Sequence, residues 1–136
     1  MSIEPRLRPR PISPHLQIYR PTITMMMSIA HRLTGAALYL ATLLVIWWLI
    51  ALASNASSYA VFQDFLGPWL GQIILFGYIW ALFHHMLGGI RHLLWDVGMW
   101  IDLPAASRLA WATLIGSTGL TVAAWIAGHS LRAVLP

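Results

Sequence analysis

The chain contains no cysteine and no lysine, and only four of its residues are acidic. Without cysteine there can be no disulfide, and a cysteine-ligated iron–sulfur cluster on this chain is excluded. No Gly-x-Gly-x-x-Gly fingerprint occurs, so a dinucleotide-binding turn is absent as well. Charge of either sign is scarce: 9% of residues are charged and 59% are hydrophobic, with a mean hydropathy of +0.71. A soluble domain of 136 residues cannot hide that much apolar surface, so the expected solvent is lipid. The net charge of +4, carried entirely by arginine, then bears on topology and anionic lipid rather than on nucleic acid.

What is present divides into an arm and three apolar runs. Residues 1–21 hold five prolines together with Arg6, Arg8, Arg10 and Arg20, which excludes a long helix. An extended arm at the inner membrane face is expected, with Pro14 to Tyr19 as a docking strip. Because Met1 to Tyr19 has no apolar run, no signal peptide is expected. Residues 22–136 read as an all-α membrane protein of three transmembrane helices, with spans over about 28–53, 65–95 and 109–131. Ala36 to Ala53 carries no formal charge and, with a few flanking residues, crosses a hydrocarbon core of about 30 Å. Ser54 to Asp64 reads as a polar loop. The third span is rich in Ala, Gly, Ser and Thr, which let helices approach closely and make it a packing element.

Arginine placement sets the orientation. Arg6, Arg8, Arg10, Arg20 and Arg32 precede the first span, the first loop has none, and Arg91 and Arg108 flank the second. The N-terminus and second loop are therefore expected inside, with the C-terminus and Arg132 outside.

The end of the second span gathers the chemistry. Between His84 and Asp96 lie three histidines, an arginine and an aspartate. Wound as a helix, His85, Gly88, Gly89, His92 and Asp96 share a face, while His84, Arg91 and Trp95 form a neighbouring stripe. An imidazole followed by two glycines suits a flat macrocycle, because the nitrogen reaches a metal and the missing side chains leave room for the ring. The same residues also suit a helix-packing glycine pair with interfacial histidines. Ser28, His31 and Arg32, at i, i+3 and i+4 near the mouth of the first span, make a hydrogen-bonding site for a carbonyl or carboxylate.

His85 lies about 9 Å deeper than Arg91 along such a helix. Arg32 and Arg91, with His31 or His92, could then meet propionates reaching toward the interface. A second axial ligand is hard to find within the chain. His84 points about 100° away and His92 is on the same side of the ring. His129 is at the outer end of the third span, and His31 is better placed at the interface. Another subunit is the expected source.

Two stretches resemble a known family. Arg10-Pro-Ile-Ser-Pro-His-Leu-Gln-Ile-Tyr19 followed by Ser28-x-x-His31-Arg32-x-Thr34-Gly35 is similar to the N-terminal signature of the cytochrome b556 subunits of succinate dehydrogenase. His85-x-x-x-Gly89-Ile90-Arg91-His92-Leu93-x-Trp95-Asp96-x-Gly98 resembles their second signature, and the form looks like the alphaproteobacterial and mitochondrial branch. The resemblance implies an inner-membrane anchor of succinate:ubiquinone oxidoreductase, bacterial or mitochondrial. It implies haem b with His85 as an axial ligand to the iron and the other ligand from a second small membrane anchor subunit. Ser28 and Arg32 match residues lining the ubiquinone pocket next to the iron–sulfur subunit, and His31 and Arg32 match positions near the propionates. His92 and Asp96 fall at the inner end of the second motif, Asp96 behind the contacts. A flavoprotein subunit is the further implied partner, and dicarboxylate chemistry is not expected on this chain. His84 departs from the pattern and creates a rival ligand. The alternatives are a haem-containing anchor of a fumarate reductase and a haem-free structural membrane subunit. The diheme type of fumarate reductase anchor takes four histidine ligands from one longer chain, which this one is poorly equipped to supply.

Overall fold

The computed structural model describes residues 18–134, so most of the expected arm and its docking strip lie outside the described residues. Among those residues there is no strand. Four helices follow one another: α1 Ile23–Ser54, α2 Ala56–Leu66, α3 Trp69–Asp96 and α4 Leu103–Val134. The helices α1, α3 and α4 are each long and apolar enough to cross a membrane.

Helix ends explain where these bounds differ from the sequence expectation. Thr22 caps α1 by accepting from the Met25 amide at 3.4 Å, so the helix begins a turn earlier than position 28. The polar loop expected at 54–64 is helical instead. Asn55 caps it by accepting from the Ser58 amide at 2.8 Å, and the apolar members of its turns fold back on α1. Phe62 is buried, edge-on to Trp47 with ring centroids 5.0 Å apart. The second span then starts at Trp69 rather than 65, because Gly67 and Pro68 end α2 and Pro68, without an N–H, can only begin the next helix. The third span starts at Leu103 rather than 109. Asp102 accepts from the Ala105 amide at 3.1 Å, and Pro104 sits in a first turn where its missing N–H leaves no bond unmade.

Packing is densest between α3 and α4. The small residues of α4 form the contact stripe: Ala106, Ala110, Thr113, Ser117 and Thr121 are all buried. Thr113, Ser117 and Thr121 return their hydroxyl protons to carbonyls of their own helix, at 2.8, 3.0 and 2.7 Å. The stripe is therefore polar in composition and satisfied in fact, which suits a bundle surrounded by hydrocarbon. On α3, Ala81, His84, Gly88 and Arg91 turn inward along one helical face, while Gly71 is buried separately against the end of α2. Large apolar side chains such as Leu33, Leu43, Ile73, Leu82 and Ile115 point outward instead, the reverse of a water-soluble bundle.

Candidate functional site

The end of α3 is built to stop. Gly98 takes φ +78°, its amide bonds to the Trp95 carbonyl at 2.9 Å, and the Met99 amide reaches Leu94 at 2.9 Å. This pair of bonds closes a helix C-terminus on a residue in the left-handed region, which glycine adopts without steric cost. Asp96 is the last helical residue and is exposed. A carboxylate there opposes the helix dipole, so it is not present for the stability of α3.

Across the bundle, α1 and α3 bring three histidines into one cluster. The His31 ring lies parallel to that of His85, with centroids 4.0 Å apart and planes 5° from parallel. His92, two turns beyond His85, has its ring 5.2 Å from that of His31 at an angle of 50°. The insertion is possible because α3 carries Gly88 between them, where a Cβ would overlap the His31 ring. Gly35 does the reciprocal service on α1. A Cβ at that position would lie 2.8 Å from Cε1 of His85 and 3.3 Å from its Nδ1. The room expected at Gly88 for a macrocycle is thus taken by His31, whereas Gly89 faces open space.

Hydrogen bonds assign the tautomers of the adjacent pair. Nδ1 of His85 lies 3.1 Å from the His31 carbonyl oxygen, which can only accept, so the proton is on Nδ1 and the lone pair on Nε2. That is the state in which an imidazole ligates a metal, held by a backbone acceptor behind it. His84 faces the other way. It is fully buried, stacked on Trp80 with centroids 4.8 Å apart, and its Nδ1 is 3.3 Å from Ser117 Oγ. Ser117 gives its proton to the Leu114 carbonyl at 3.0 Å, so its oxygen accepts from His84 Nδ1–H. His84 is sealed inside the bundle and cannot meet a ring shared with another chain.

Arg91 shares that inward stripe and is 2% exposed. Its guanidinium carbon lies 5.1 Å from the centre of the Trp95 ring, a cation–π contact. Its Nε and Nη1, Nε1 of Trp95, Nδ1 of His31 and Nε2 of His84 are buried without partners among the described residues. An unmade bond of this kind costs about 1–3 kcal/mol, more for a charged group. The donors on Arg91 and Trp95 therefore call for acceptor oxygens, such as a carboxylate or ordered water.

Nearer the start of α1, Arg32 is exposed and Ser28 half-buried, and neither side chain bonds to a described residue. They are separated by one turn and lie on the same side of the helix. His31, Arg91, His92 and Asp96 are thus at the same end of the bundle as Ser28 and Arg32. His129 is at the other end, edge-on to Trp125 at 5.1 Å. A cavity of about 920 Å³ is also at that far end, against Trp48, Phe62, Tyr78 and Arg132. None of its lining residues is a histidine, so size and chemistry point to different places, and the chemistry decides.

Sequence reasoning gave Gly35 no role beyond its place in the first motif and missed Trp80 and Ser117. A glycine one turn beyond His31 was a usable signal for Gly35. The partnership of His84 with Ser117 carried none, because it depends on how α3 meets α4.

Residues 6–124 match the model of the family described as succinate dehydrogenase/fumarate reductase transmembrane subunit. The chain is 41% identical over 113 residues to the succinate dehydrogenase cytochrome b556 subunit of Paracoccus denitrificans, covering 83% of this chain and 87% of that one. It is 38% identical to the protein of that name from Rickettsia conorii, over 86% of this chain and 91% of the relative. The mitochondrial succinate dehydrogenase cytochrome b560 subunit of Sus scrofa is 39% identical over 78% of this chain and 64% of its own length.

Proposed function

The chain belongs to the succinate dehydrogenase/fumarate reductase transmembrane-subunit family, as a relative of its cytochrome b556 subunits, and on that premise we propose that it binds haem b and ubiquinone at the inner face of the membrane. It anchors a flavoprotein and an iron–sulfur subunit there, and a second small anchor subunit completes the haem site. The membrane is the bacterial or mitochondrial inner membrane, with the N-terminus inside on the strength of the arginine distribution. The observation that carries the reading is the His85 imidazole, whose Nδ1 is bonded to the His31 carbonyl at 3.1 Å and whose Nε2 is left with the lone pair.

The residues present fit a haem. His85 offers a neutral nitrogen with a backbone acceptor behind it, and Gly89 leaves open space on the same helix. Buried Arg91 has unpartnered donors for anionic oxygens and His31 an unpartnered Nδ1; the His92 ring lies beside that of His31, and Arg32 supplies a further cation at the surface. When bound, a haem would supply a one-electron store.

This chain's own part in the reaction is to hold the quinone and its developing charge. Reduction puts negative charge on the quinone oxygens before protons arrive. The Arg32 guanidinium supplies a cation with several donors, and the Ser28 hydroxyl can donate one turn away. Fixed donors of this kind stabilise charge where it appears. Asp96 is exposed at the end of α3, at the same end of the bundle.

The test is the reduced-minus-oxidised absorption spectrum of the purified complex. Bands of a low-spin b-type haem that appear on reduction with dithionite are expected. Their absence from an intact, active complex returns the haem-free structural subunit.

A further inference from the structure

The two glycines that let α1 and α3 interlock bear directly on how the iron ligand is aimed. We propose that Gly35 and His31 are positioning residues that fix the plane of the His85 imidazole, and that the α1–α3 contact exists to set it. The proposal rests on the reading of His85 as the axial ligand.

Three contacts converge on that ring, and together they remove its freedom. The His31 carbonyl accepts from Nδ1 at 3.1 Å, which restricts rotation about the ring's own axis. The His31 ring covers one face at 4.0 Å and 5°, which restricts tilt. The backbone of α1 at Gly35 comes so close that a single methyl group would sit 2.8 Å from Cε1. His31 in turn keeps its place because Gly88 leaves it a notch on α3. Each of the two histidines therefore packs against a glycine of the facing helix.

A helix-packing role alone does not account for this arrangement. Glycine pairs that merely draw helices together meet backbone or aliphatic groups, and here both meet imidazoles. The atom in the way at Gly35 is the end of a side chain that can turn. An alanine would be accommodated by moving the ring, with the helices left in place. The structural cost is small and the functional one is specific: the ligand is re-aimed. For a six-coordinate haem, the angle between the two axial imidazole planes shapes the electronic anisotropy of the ferric iron, and ligand orientation tunes its potential.

The experiment uses the assembled complex in membranes carrying Gly35→Ala, His31→Ala, His31→Phe or Gly119→Ala. Gly119 is on α4, and a Cβ there meets nothing in this chain within 4 Å. Electron paramagnetic resonance of the oxidised haem and haem content per complex are read on each. Gly35→Ala is expected to assemble and to shift the largest g value, while Gly119→Ala keeps the wild-type signal. His31→Ala is expected to shift it as well. His31→Phe restores a flat ring, the backbone carbonyl being present in every variant, and should bring the signal back toward wild type even though Phe cannot bond a propionate.

A wild-type signal with full haem in Gly35→Ala overturns the proposal. So does an identical signal from His31→Ala and His31→Phe, which also decides the matter if Gly35→Ala loses its haem. The underlying reading fails separately: a His85→Ala complex that keeps its low-spin signal removes His85 as ligand, whatever the glycine variants do.

Discussion

His84 and His85 are neighbours in the chain and opposites in surroundings. His84 is fully buried between Trp80 and Ser117, and His85 is half-buried with its lone pair uncommitted. His85→Ala is expected to remove or destabilise the haem, whereas His84→Ala keeps a six-coordinate low-spin spectrum. Haem retained in the first and lost from the second reverses the assignment. His84 is expected to matter for stability instead. Ser117→Ala would strand its buried Nδ1–H at a cost of about 1–3 kcal/mol, read as a lower thermal midpoint of the complex with an unchanged haem spectrum. How much of this was legible follows from periodicity. The face shared by His85, His92 and Asp96 can be drawn from 3.6 residues per turn. That the neighbouring stripe of His84 and Arg91 turns inward cannot, because a polar stripe is ordinarily the wet one and only the small residues of α4 make room for it here.

Among the elements, the three spans were legible because lipid demands long uncharged runs, and such runs survive any detail of packing. The helix α2 was not. Its residues are polar enough to read as a loop, and what makes it helical is an asparagine cap and the docking of Phe62 on Trp47. The turn from α2 into α3 depends on Gly71, where a Cβ would lie 2.5 Å from the Phe65 carbonyl oxygen and 2.6 Å from Leu66 Cα. These are backbone atoms and cannot swing aside. Gly71→Ala is therefore expected to destabilise the chain by about 1–3 kcal/mol, with less assembled complex in the membrane. Gly77→Ala, one face away with nothing within 4 Å, should be neutral by the same assay. Equal behaviour of the two variants would mean the α2–α3 turn is not held as described.

At the scale of the whole molecule, α1 is the least covered of the spanning helices and carries both Ser28 and Arg32 on its exposed first turns. A helix this bare needs lipid or a partner subunit along its length. The proposed orientation rests on the arginines. A reporter placed between Val97 and Asp102 is expected to be accessible from inside, and one fused after Pro136 from outside. Both on one side would overturn the three-span topology. On the proposed reading, one end of this bundle is where quinone receives its electrons. The most direct test of that reading is the ratio of succinate-to-ubiquinone activity to succinate-to-dye activity in Arg32→Leu membranes, with haem measured on the same sample and Ser28→Ala alongside. The ratio is expected to fall sharply in Arg32→Leu while dye reduction and haem persist. Ser28→Ala should lower it in the same direction, by about the 1 kcal/mol of one hydrogen bond, or roughly fivefold. Wild-type ratios for both variants at low quinone would contradict the account.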